Sequence, residues 1–522
     1  MSKKQLPSQI VKKSKKSVMS LIFSRLGIIT LMFLVQIGVL IFALYNFENI
    51  FPHFYGSGIV ISAVAVLYLA NCPMNPNAKI TWLILMVVAP VFGSLLLIYT
   101  RSDVGHRALK KRTDKVLELT KQMISQPEDV KRELEEINPG IAGLSEYVAR
   151  SGCHPVYNGT KVTYFHSGEA KYEALLEELK KAEKFIFLEY FIIEEGKMWD
   201  SVLEILKEKA KSGVDVRLMY DGTCEFTTLP HDYPRKLKQM GINCKIFAPI
   251  TPFVSTHYNY RDHRKIVVID GRVAFNGGIN LADEYINIGS KYGHWKDSAV
   301  MLCGDAVDSF TLMFLQMWGL YEKSGEWEHF LSAGEREYGE NGFVMPFGDC
   351  PVDRDKTGER VYMDILNRAT DYVHIMTPYL IIDSEMEAAI RFAAERGVEV
   401  ILILPGIPDK KGAWALAKTH YRALLDSGVK IFEYTPGFVH SKVFVADSSE
   451  AVVGTINLDF RSLYHHFECA VYMAYTPCIK DIERDFDETR AKCCEVTYES
   501  IKKEKLTVKI KGMILKLVAP LM

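Results

Sequence analysis

The chain has 522 residues, of which 48% are hydrophobic and 24% are charged, and it contains 35 Gly and 20 Pro. This composition excludes a disordered, collagen-like or low-complexity protein and suffices for a large core, and the length favours about three domains. The net charge is −1, but residues 1–25 contain seven Lys and Arg and no acidic residue, so the remaining chain is mildly acidic. Duplex nucleic acid requires a basic footprint, and we therefore expect no nucleic-acid partner.

Three apolar runs follow the basic N-terminus and predict a membrane anchor over residues 1–100. The run at residues 26–45 has twenty residues without a charge, and the others are residues 56–70 and residues 80–99, the last with Pro90 inside it. A helix of twenty residues is about 30 Å long, the thickness of a bilayer core. Lys and Arg before the first run and after the third predict cytoplasmic flanks. We expect a multi-pass protein with two or three crossings and a cytoplasmic body.

Charged segments with helix-forming residues lie on both sides of the body. Residues 101–150 predict an amphipathic connector. Residues 501–522 contain six Lys and one Glu interleaved with Ile, Leu, Val and Met. This basic amphipathic tail either lies on an anionic leaflet, with its apolar side chains toward the lipid and its lysines toward the headgroups, or packs on the body as a terminal helix.

An internal duplication accounts for the residues between the connector and the tail. Apolar strands at residues 182–193 and 369–382 are each followed by a helical stretch, a Gly and a second strand. This order is the βαβ rhythm of a sheet flanked by helices. The predicted fold is α/β, with two similar sheet-and-helix halves at residues 151–335 and 336–500, the active site between them, and N-terminal transmembrane helices.

Each predicted half ends in the same short motif, within residues 257–284 of the first and residues 434–461 of the second. Both copies read HxK(x)4D(x)6G[GT]xN with identical spacing. One HxK would mean nothing, whereas two complete copies at equivalent places in a duplicated body are very unlike chance. The shared positions are His263, Lys265, Asp270 and Asn280 in the first copy and His440, Lys442, Asp447 and Asn457 in the second.

These motifs resemble those of the phospholipase D superfamily, and within it the chain is similar to bacterial cardiolipin synthases. The resemblance includes the apolar N-terminal hairpin, PNAKITWLILMVVAPVFGSLLLIY, RDHRKIVVIDGRVAFNGGINLADEY, HWKD and the terminal APLM, and so covers most of the chain. It implies two phospholipase D-like halves and a phosphatidyltransferase of the bacterial plasma membrane. The implied reaction joins two phosphatidylglycerol molecules into cardiolipin and glycerol through a phosphohistidine. The expected partners are phosphatidylglycerol and other anionic membrane lipids.

The motif residues suit phosphodiester chemistry that requires no metal and no cofactor. Positions i and i+2 of a strand face the same side, so each motif histidine should project together with its lysine. If the halves pack about a pseudo-twofold axis, both pairs converge on one pocket. Two ammonium groups and the amides of Asn280 and Asn457 would then bind the phosphate and the charge of its transition state. One imidazole attacks phosphorus, while the other protonates the leaving alcohol and then deprotonates the incoming one.

The resemblance also implies individual roles. Asp297, in HWKD, and Glu468, in HHFE, would orient the histidines, and His263 would be the nucleophile with His440 as acid and then base. The motif residues Asp270 and Asp447 belong to the predicted catalytic set, and in the superfamily they anchor the motif. The pseudo-symmetry leaves the choice of nucleophile open. One departure from the family is the second His of YHHFE, where Asn is common, and it affects the local hydrogen bonding. Glu189 either faces the site or forms a buried ion pair.

Three other functions remain open. A membrane-bound phospholipase D would use the same residues to hydrolyse phospholipid to phosphatidic acid, and only product analysis separates it from a transferase. A nuclease of the superfamily is disfavoured by the acidic body and the anchor. An inactive scaffold that binds anionic lipid is disfavoured because both motifs are complete. The two motifs already provide both histidines, so the chemistry does not require a homodimer, and the oligomeric state is left open.

Overall fold

A computed structural model describes residues 25–45, 63–101, 104–152, 154–249, 260–289, 291–320, 322, 327–332, 338–353 and 355–521. The chain divides into two compact units. One contains the N-terminal helices and the last residues of the chain, and the other is formed by residues 110–249 and 260–516. The predicted basic N-terminus, residues 56–62 of the second apolar run and residues 257–259 of the first motif region lie outside the described residues.

The N-terminal unit is helical where it is described. Its helices include α1 (Arg25–Tyr45), α2 (Pro76–Val88) and α3 (Pro90–Arg101). The third apolar run is divided between α2 and α3, because Pro90 has no N–H to donate and therefore begins a new helix. Within the described ranges, no helix is both long enough and apolar enough to cross a membrane. The transmembrane helices of the predicted fold therefore stay a prediction.

Three helices occupy the predicted connector: α4 (Val104–Thr120), α5 (Glu128–Ile137) and α6 (Pro139–Gly152). Each buries one face, as Leu134 of α5 and Val148 of α6 illustrate, both of which are fully buried in the core of the second half. The charged residues between them face solvent, which explains the amphipathic pattern of the sequence.

A mixed sheet of sixteen strands forms the centre of the larger unit, and two short two-stranded pairs accompany it among the described residues. The strands are β1 (Tyr157–Phe165), β2 (Phe185–Tyr190), β3 (Asp215–Asp221), β4 (Asn243–Phe247), β5 (Arg261–Asp262), β6 (Ile266–Ile269), β7 (Val273–Gly277), β8 (His294–Lys296), β9 (Ala299–Cys303), β10 (Tyr338–Asp349), β11 (Tyr372–Met376), β12 (Leu380–Ile381), β13 (Glu399–Pro405), β14 (Lys430–Tyr434), β15 (Gly437–Val439), β16 (Val443–Ala446), β17 (Glu450–Gly454), β18 (Leu458–Asp459), β19 (His466–Ala474) and β20 (Cys493–Glu495).

Helices connect these strands and follow them along the chain. They are α7 (Gly168–Lys180), α8 (Lys197–Lys211), α9 (Cys224–Thr227), α10 (Tyr233–Gln239), α11 (Val307–Gly319), α12 (Thr357–Arg368), α13 (Ser384–Glu395), α14 (Lys411–Asp426), α15 (Phe460–Tyr464), α16 (Ile479–Arg490), α17 (Tyr498–Lys503) and α18 (Leu506–Val518).

The strand order confirms the duplication that the sequence predicts. The first half has the order β9-β7-β6-β2-β3-β4, and the second half has β19-β17-β16-β11-β13-β14. In both, the first three neighbouring pairs are antiparallel and the last two are parallel. β1 and β10 pair at the centre and join the halves into one sheet. The α/β fold with two similar halves is therefore confirmed.

Each half has its own hydrophobic core against this sheet. Leu188 and Trp199 lie in the first core and Ile375 and Leu402 in the second, all fully buried. Full burial of such a side chain stabilises the fold by about 1.5–3 kcal/mol. The halves thus support the motif residues on well-packed strands.

Two short strand pairs link the halves next to the motifs. β5, which ends directly before His263, pairs in parallel with β19, which contains Glu468. β15, which ends directly before His440, pairs in parallel with β8, which ends directly before Asp297. The backbone N–H of His263 donates to the Phe467 carbonyl at 2.9 Å. These exchanged pairs bring each motif histidine to a carboxylate of the opposite half.

Candidate active site

The two motif histidines contact carboxylates from opposite halves. His263 Nδ1 lies 2.9 Å from Glu468 Oε1 and 3.0 Å from Oε2, and His440 Nδ1 lies 2.7 Å from Asp297 Oδ2. Both carboxylates are fully buried, and each histidine is more than nine-tenths buried. A carboxylate at Nδ1 keeps the proton there and leaves the Nε2 lone pair available. Each half therefore places a carboxylate beside the histidine of the other half.

Burial decides the charge of both imidazoles. It lowers the pKa of His263 to about 3 and that of His440 to about 4, against the opposing effect of the facing carboxylates. Burial alone would raise the pKa of Glu468, but the contact with His263 keeps it well below its usual range. Both histidines are therefore neutral at physiological pH in the free protein, as a nucleophile must be. A bound phosphodiester anion favours the imidazolium and so prepares one of them as an acid.

The motif lysines are also buried. Lys265 Nζ donates to the backbone carbonyl of His263 at 2.6 Å, and Lys442 Nζ donates in the same way to the carbonyl of His440. Burial lowers the pKa of Lys265 to about 8 and that of Lys442 to about 7, although Asp297 and Glu468 favour both charges. An anion in the pocket would stabilise both ammonium groups. The sequence predicts that each HxK triplet lies within a strand. In the structure, β6 and β16 begin at the residue after Lys265 and Lys442, so each triplet precedes its strand.

The motif aspartates bind backbone amides. Asp270 accepts hydrogen bonds from the N–H groups of Glu183, Lys184 and Phe185, and Asp447 accepts them from those of Thr370, Asp371 and Tyr372. Both aspartates have a positive φ, 57° and 51°, at the turn after the motif strand. They attach this turn to the start of β2 or β11, and we assign them a positioning role.

The two motif asparagines differ in their contacts. Asn280 Oδ1 accepts from the Ile192 N–H at 3.0 Å, and its Nδ2 donates to the Tyr285 hydroxyl at 2.7 Å. Asn457 is also buried, but its Oδ1 has no hydrogen-bond partner among the described residues. A phosphate accepts hydrogen bonds and would need the Nδ2 group of an asparagine, and that of Asn280 already donates to Tyr285 in its own half.

Gly278 and Thr455 are equivalent motif positions with different functions. The Thr455 hydroxyl donates to the carboxylate of Glu468. At Gly278, an added Cβ would lie 2.2 Å from Asp297 Oδ1. The first half therefore requires glycine beside the shorter Asp297, and the second half uses a hydroxyl to support the longer Glu468.

Aromatic rings form the walls beside the histidines. The ring centroid of Phe191 lies 4.9 Å from that of His263, and those of Trp295 and Tyr285 lie 5.2 and 5.5 Å from that of His440. Such rings limit the access of water to the reacting atoms and strengthen the electrostatic contacts inside the pocket.

Two further side chains at the site are not identified by sequence reasoning. His466 lies with its ring centroid 5.4 Å from that of His263, and the only signal for it is the departure from the family's Asn. Buried Lys171 donates to the Tyr190 hydroxyl at 2.8 Å, and burial lowers its pKa to about 7. Nothing in its sequence context distinguishes it from a surface lysine. Glu189 pairs with Arg264 at 2.8 Å, as the buried ion-pair alternative predicts.

A duplicated α/β body whose two buried histidines each face a carboxylate and a lysine defines an enzyme of phosphodiester transfer. Residues 175–318 and 362–490 match a family model described as cardiolipin synthase, PLD-like domain. The chain is 33% identical to a cardiolipin synthase of Geobacillus kaustophilus, over 89% of this chain and 92% of that protein. It is 31% identical to cardiolipin synthase 2 of Bacillus anthracis, over 88% and 89%. The chain belongs to the phospholipase D-like cardiolipin synthase family, a family of phospholipid phosphatidyltransferases.

Two other comparisons are informative. An uncharacterized protein of Streptococcus mutans is 56% identical over 88% of this chain and 99% of its own length. The crystal structure of a phosphatidylserine synthase from Haemophilus influenzae superimposes with a TM-score of 0.52 at 14% identity, covering 69% of this chain and 93% of that one. This second likeness supports the fold alone.

Proposed function

We propose that the protein is a cardiolipin synthase that transfers a phosphatidyl group from one phosphatidylglycerol to a headgroup hydroxyl of another, with release of glycerol. The observation that carries this proposal is the reciprocal pairing of His263 with Glu468 and of His440 with Asp297. The two motifs are also close enough that Lys265 of the first lowers the pKa of His440 of the second. Two neutral, oriented imidazoles in one site provide a nucleophile and an acid–base group. The names of the relatives supply the substrate class.

In the first step, we assign His263 as the nucleophile. Its Nε2 lone pair forms a bond to phosphorus, and the bond from phosphorus to the glycerol oxygen breaks. His440, protonated in the substrate complex, gives its proton to that oxygen, and free glycerol leaves. Glu468 offsets the positive charge that develops on His263, while Lys265 and Lys442 offset the charge on the phosphoryl oxygens. The product is a phosphatidyl-histidine.

In the second step, the hydroxyl of a second phosphatidylglycerol replaces the glycerol. His440 Nε2 takes the proton of this hydroxyl, whose oxygen forms the new bond to phosphorus. The bond from phosphorus to His263 breaks, and its electron pair returns to Nε2. Cardiolipin leaves and His263 is neutral again. His440 releases its proton to solvent in the free protein and takes up a proton when the next phosphodiester binds.

Hydrolysis to phosphatidic acid is the second candidate, since water could replace the acceptor hydroxyl in this scheme. The pocket supports transfer over hydrolysis, because both histidines are nearly buried and face Phe191, Trp295 and Tyr285. A site lined in this way admits little free water to the phosphatidyl-histidine.

We further propose that the protein works at the bacterial cell membrane, with its body on the cytoplasmic side. The C-terminal helix α18 supports contact with a lipid surface. Its large apolar side chains are exposed and share one helical face: Leu506, Ile510, Met513, Ile514 and Leu517. Lys509 and Lys516 border this face on one side and Lys511 on the other. This arrangement suits an anionic leaflet.

The opposite side of α18 packs on the body. Gly512 is buried there, and an added Cβ would lie 2.3 Å from the Ala415 carbonyl of α14. The helix can therefore pack on the body and contact a leaflet at the same time, so the two alternatives for the tail are compatible.

Product analysis tests the proposal. Purified full-length protein in mixed micelles with phosphatidylglycerol should yield cardiolipin and free glycerol by mass spectrometry, and His263→Ala and His440→Ala should abolish both products. His420→Ala is the matched control. His420 is also buried and lies 2.6 Å from a carboxylate, that of Glu387. This pair is outside the site, with His420 on α14 and Glu387 on α13. Phosphatidic acid as the main product would replace the proposal with hydrolysis. Absence of lipid turnover would refute both.

A further inference from the structure

His466 is a histidine buried beside His263. It is 7% exposed, and neither of its ring nitrogens has a hydrogen-bond partner among the described residues. Its Nδ1 lies 3.6 Å from Glu468 Oε1, which is too long for a hydrogen bond. Buried polar groups are nearly always bonded, and exceptions call for an explanation such as a ligand or ion.

His466 belongs to a compact set of donor atoms. His263, His466 and Glu468 can each offer one ligand atom such that all three atoms lie within 4.8 Å of one another. His466 and Glu468 are two residues apart on β19 and so face the same side of the strand, and β5 fixes His263 beside them. Two imidazoles and one carboxylate are the donor set of catalytic-type zinc sites, which leave one position open.

We propose that His263, His466 and Glu468 form a binding site for a divalent transition metal such as Zn²⁺, and that a metal bound there inhibits the enzyme. Metal at Nε2 of His263 occupies the lone pair that would attack phosphorus. Metal at Nδ1 replaces the proton shared with Glu468, so that the remaining ring proton lies on Nε2. In both cases His263 loses its nucleophilic nitrogen. Inhibition rests on the proposed function of His263, whereas binding of the metal does not.

The site is confined to one of the two pseudo-symmetric positions. The residue two before Asp297 is Trp295, which is the counterpart of His466, two before Glu468. The ring of Trp295 lies 5.2 Å from His440, nearly the same as the 5.4 Å between His466 and His263. An indole N–H donates a hydrogen bond but has no lone pair for a metal. Of the two motif histidines, we therefore expect only His263 to bind a metal.

Calorimetric titration of the EDTA-treated full-length protein with Zn²⁺ tests binding without reference to activity. We expect one Zn²⁺ per chain, and His466→Asn should weaken its binding at least about tenfold. His465→Asn is the matched control, because this neighbouring histidine is only half-buried and lies outside the cluster, and it should bind Zn²⁺ like the unaltered protein. Mg²⁺, which prefers oxygen ligands, should give no comparable heat. Equal Zn²⁺ affinity in His466→Asn would overturn the proposal.

X-ray absorption of the zinc-loaded protein provides a readout that does not depend on the folding of a variant. Two imidazole ligands are expected, and a spectrum with none or one would contradict the site. Lipid turnover is then measured with added Zn²⁺, each variant relative to its own metal-free rate, and EDTA should restore the rate. Inhibition that is equal in His466→Asn would refute the inhibitory role. Protein that binds Zn²⁺ as expected but turns over no lipid would support the metal site and refute the proposed function.

Discussion

At the residue scale, the two histidines are alike in their geometry but differ in their carboxylates. Asp297 accepts from His440 and from the backbone N–H of Ser298 at 2.8 Å. Glu468 accepts from His263 and from the Thr455 hydroxyl. Because each carboxylate belongs to the opposite half, a change at Glu468 acts on the first motif and a change at Asp297 acts on the second. This crossover makes the assignment of the nucleophile testable.

We expect Glu468→Gln and Asp297→Asn to lower kcat by about 10²- to 10⁴-fold, because an amide does not stabilise the imidazolium that each histidine must pass through. The two variants should differ with a phosphatidyl ester of p-nitrophenol, whose leaving group needs no proton. In rapid-quench measurements, Asp297→Asn should still release a burst of p-nitrophenol, whereas Glu468→Gln should not. The reverse pattern would make His440 the nucleophile. Glu387→Gln, at the His420 pair outside the site, is the control and should retain the burst and the rate.

The motif lysines predict an alkaline limit of activity. With pKa values lowered to about 8 for Lys265 and about 7 for Lys442, both lysines are charged below pH 7 and lose charge as the pH rises through 7 to 8. Loss of positive charge weakens phosphate binding, so kcat/KM, which reports on the free enzyme, should fall over this range. Lys442→Arg retains its charge and should shift this fall to higher pH, although its maximal rate is lower. A pH profile that is identical in Lys442→Arg would exclude Lys442 as its cause.

The sequence predicts which residues carry the chemistry of the site more fully than it predicts the contacts that those residues make. The twin motif identifies His263, Lys265, His440 and Lys442, since their spacing is a local property of the chain. The contact of Asn280 with Tyr285 and the burial of His466 beside His263 depend on tertiary packing, which leaves no periodic signal in the sequence.

At the element scale, the short exchanged strands are critical for the site. β15 is three residues long, and its pairing with β8 places His440 beside Asp297. Gly437 permits the close approach, since an added Cβ would lie 2.2 Å from the His294 carbonyl of β8. β15 and β8 form a two-stranded pair of their own, separate from the hydrogen-bonded order of the large sheet.

Gly437→Ala should therefore lower activity much more than stability. We expect a loss of kcat of at least about 10²-fold, because misplacement of a catalytic group by about 1 Å has such an effect, and a small change in Tm. Gly143→Ala is the control: an added Cβ on α6 meets nothing within 4 Å, and alanine should stabilise the helix by about 0.5–1 kcal/mol without a change in rate. The test is to measure kcat and Tm for both variants. A large fall in Tm with Gly437→Ala would mean that the close approach of β15 to β8 is needed for folding and not specifically for activity.

The elements that the sequence predicts are those with long apolar patterns. The apolar stretch at residues 182–193 contains β2, and the stretch at residues 369–382 contains β11. β5, with the residues Arg261 and Asp262, has no apolar pattern and no alternation, so its pairing with β19 could not be read from the chain.

At the scale of the whole molecule, one sheet carries both halves, and the chain also exposes a surface suited to lipid. The identical strand orders of the halves follow from the duplication, but the β1–β10 pair that unites them does not, because each strand lies outside the repeated βαβ pattern. The lipid substrates must reach a buried site from a bilayer, so the orientation of the body on the leaflet should affect substrate capture. Helix α18 is the element that we expect to set this orientation.

Replacement of both Ile510 and Ile514 by Gln should weaken the binding of α18 to the leaflet. These side chains are 47% and 59% exposed, so their transfer into lipid contributes about 1.5–3 kcal/mol in total, or about a ten- to hundredfold effect. With the full chain reconstituted in vesicles, the interfacial KM for phosphatidylglycerol should rise by this factor while kcat stays unchanged. Phe392→Gln removes a similarly exposed apolar side chain from α13, 54% exposed, and should change neither constant. A fall in kcat or in Tm with an unchanged KM would mean that α18 supports the fold and not the contact with the membrane.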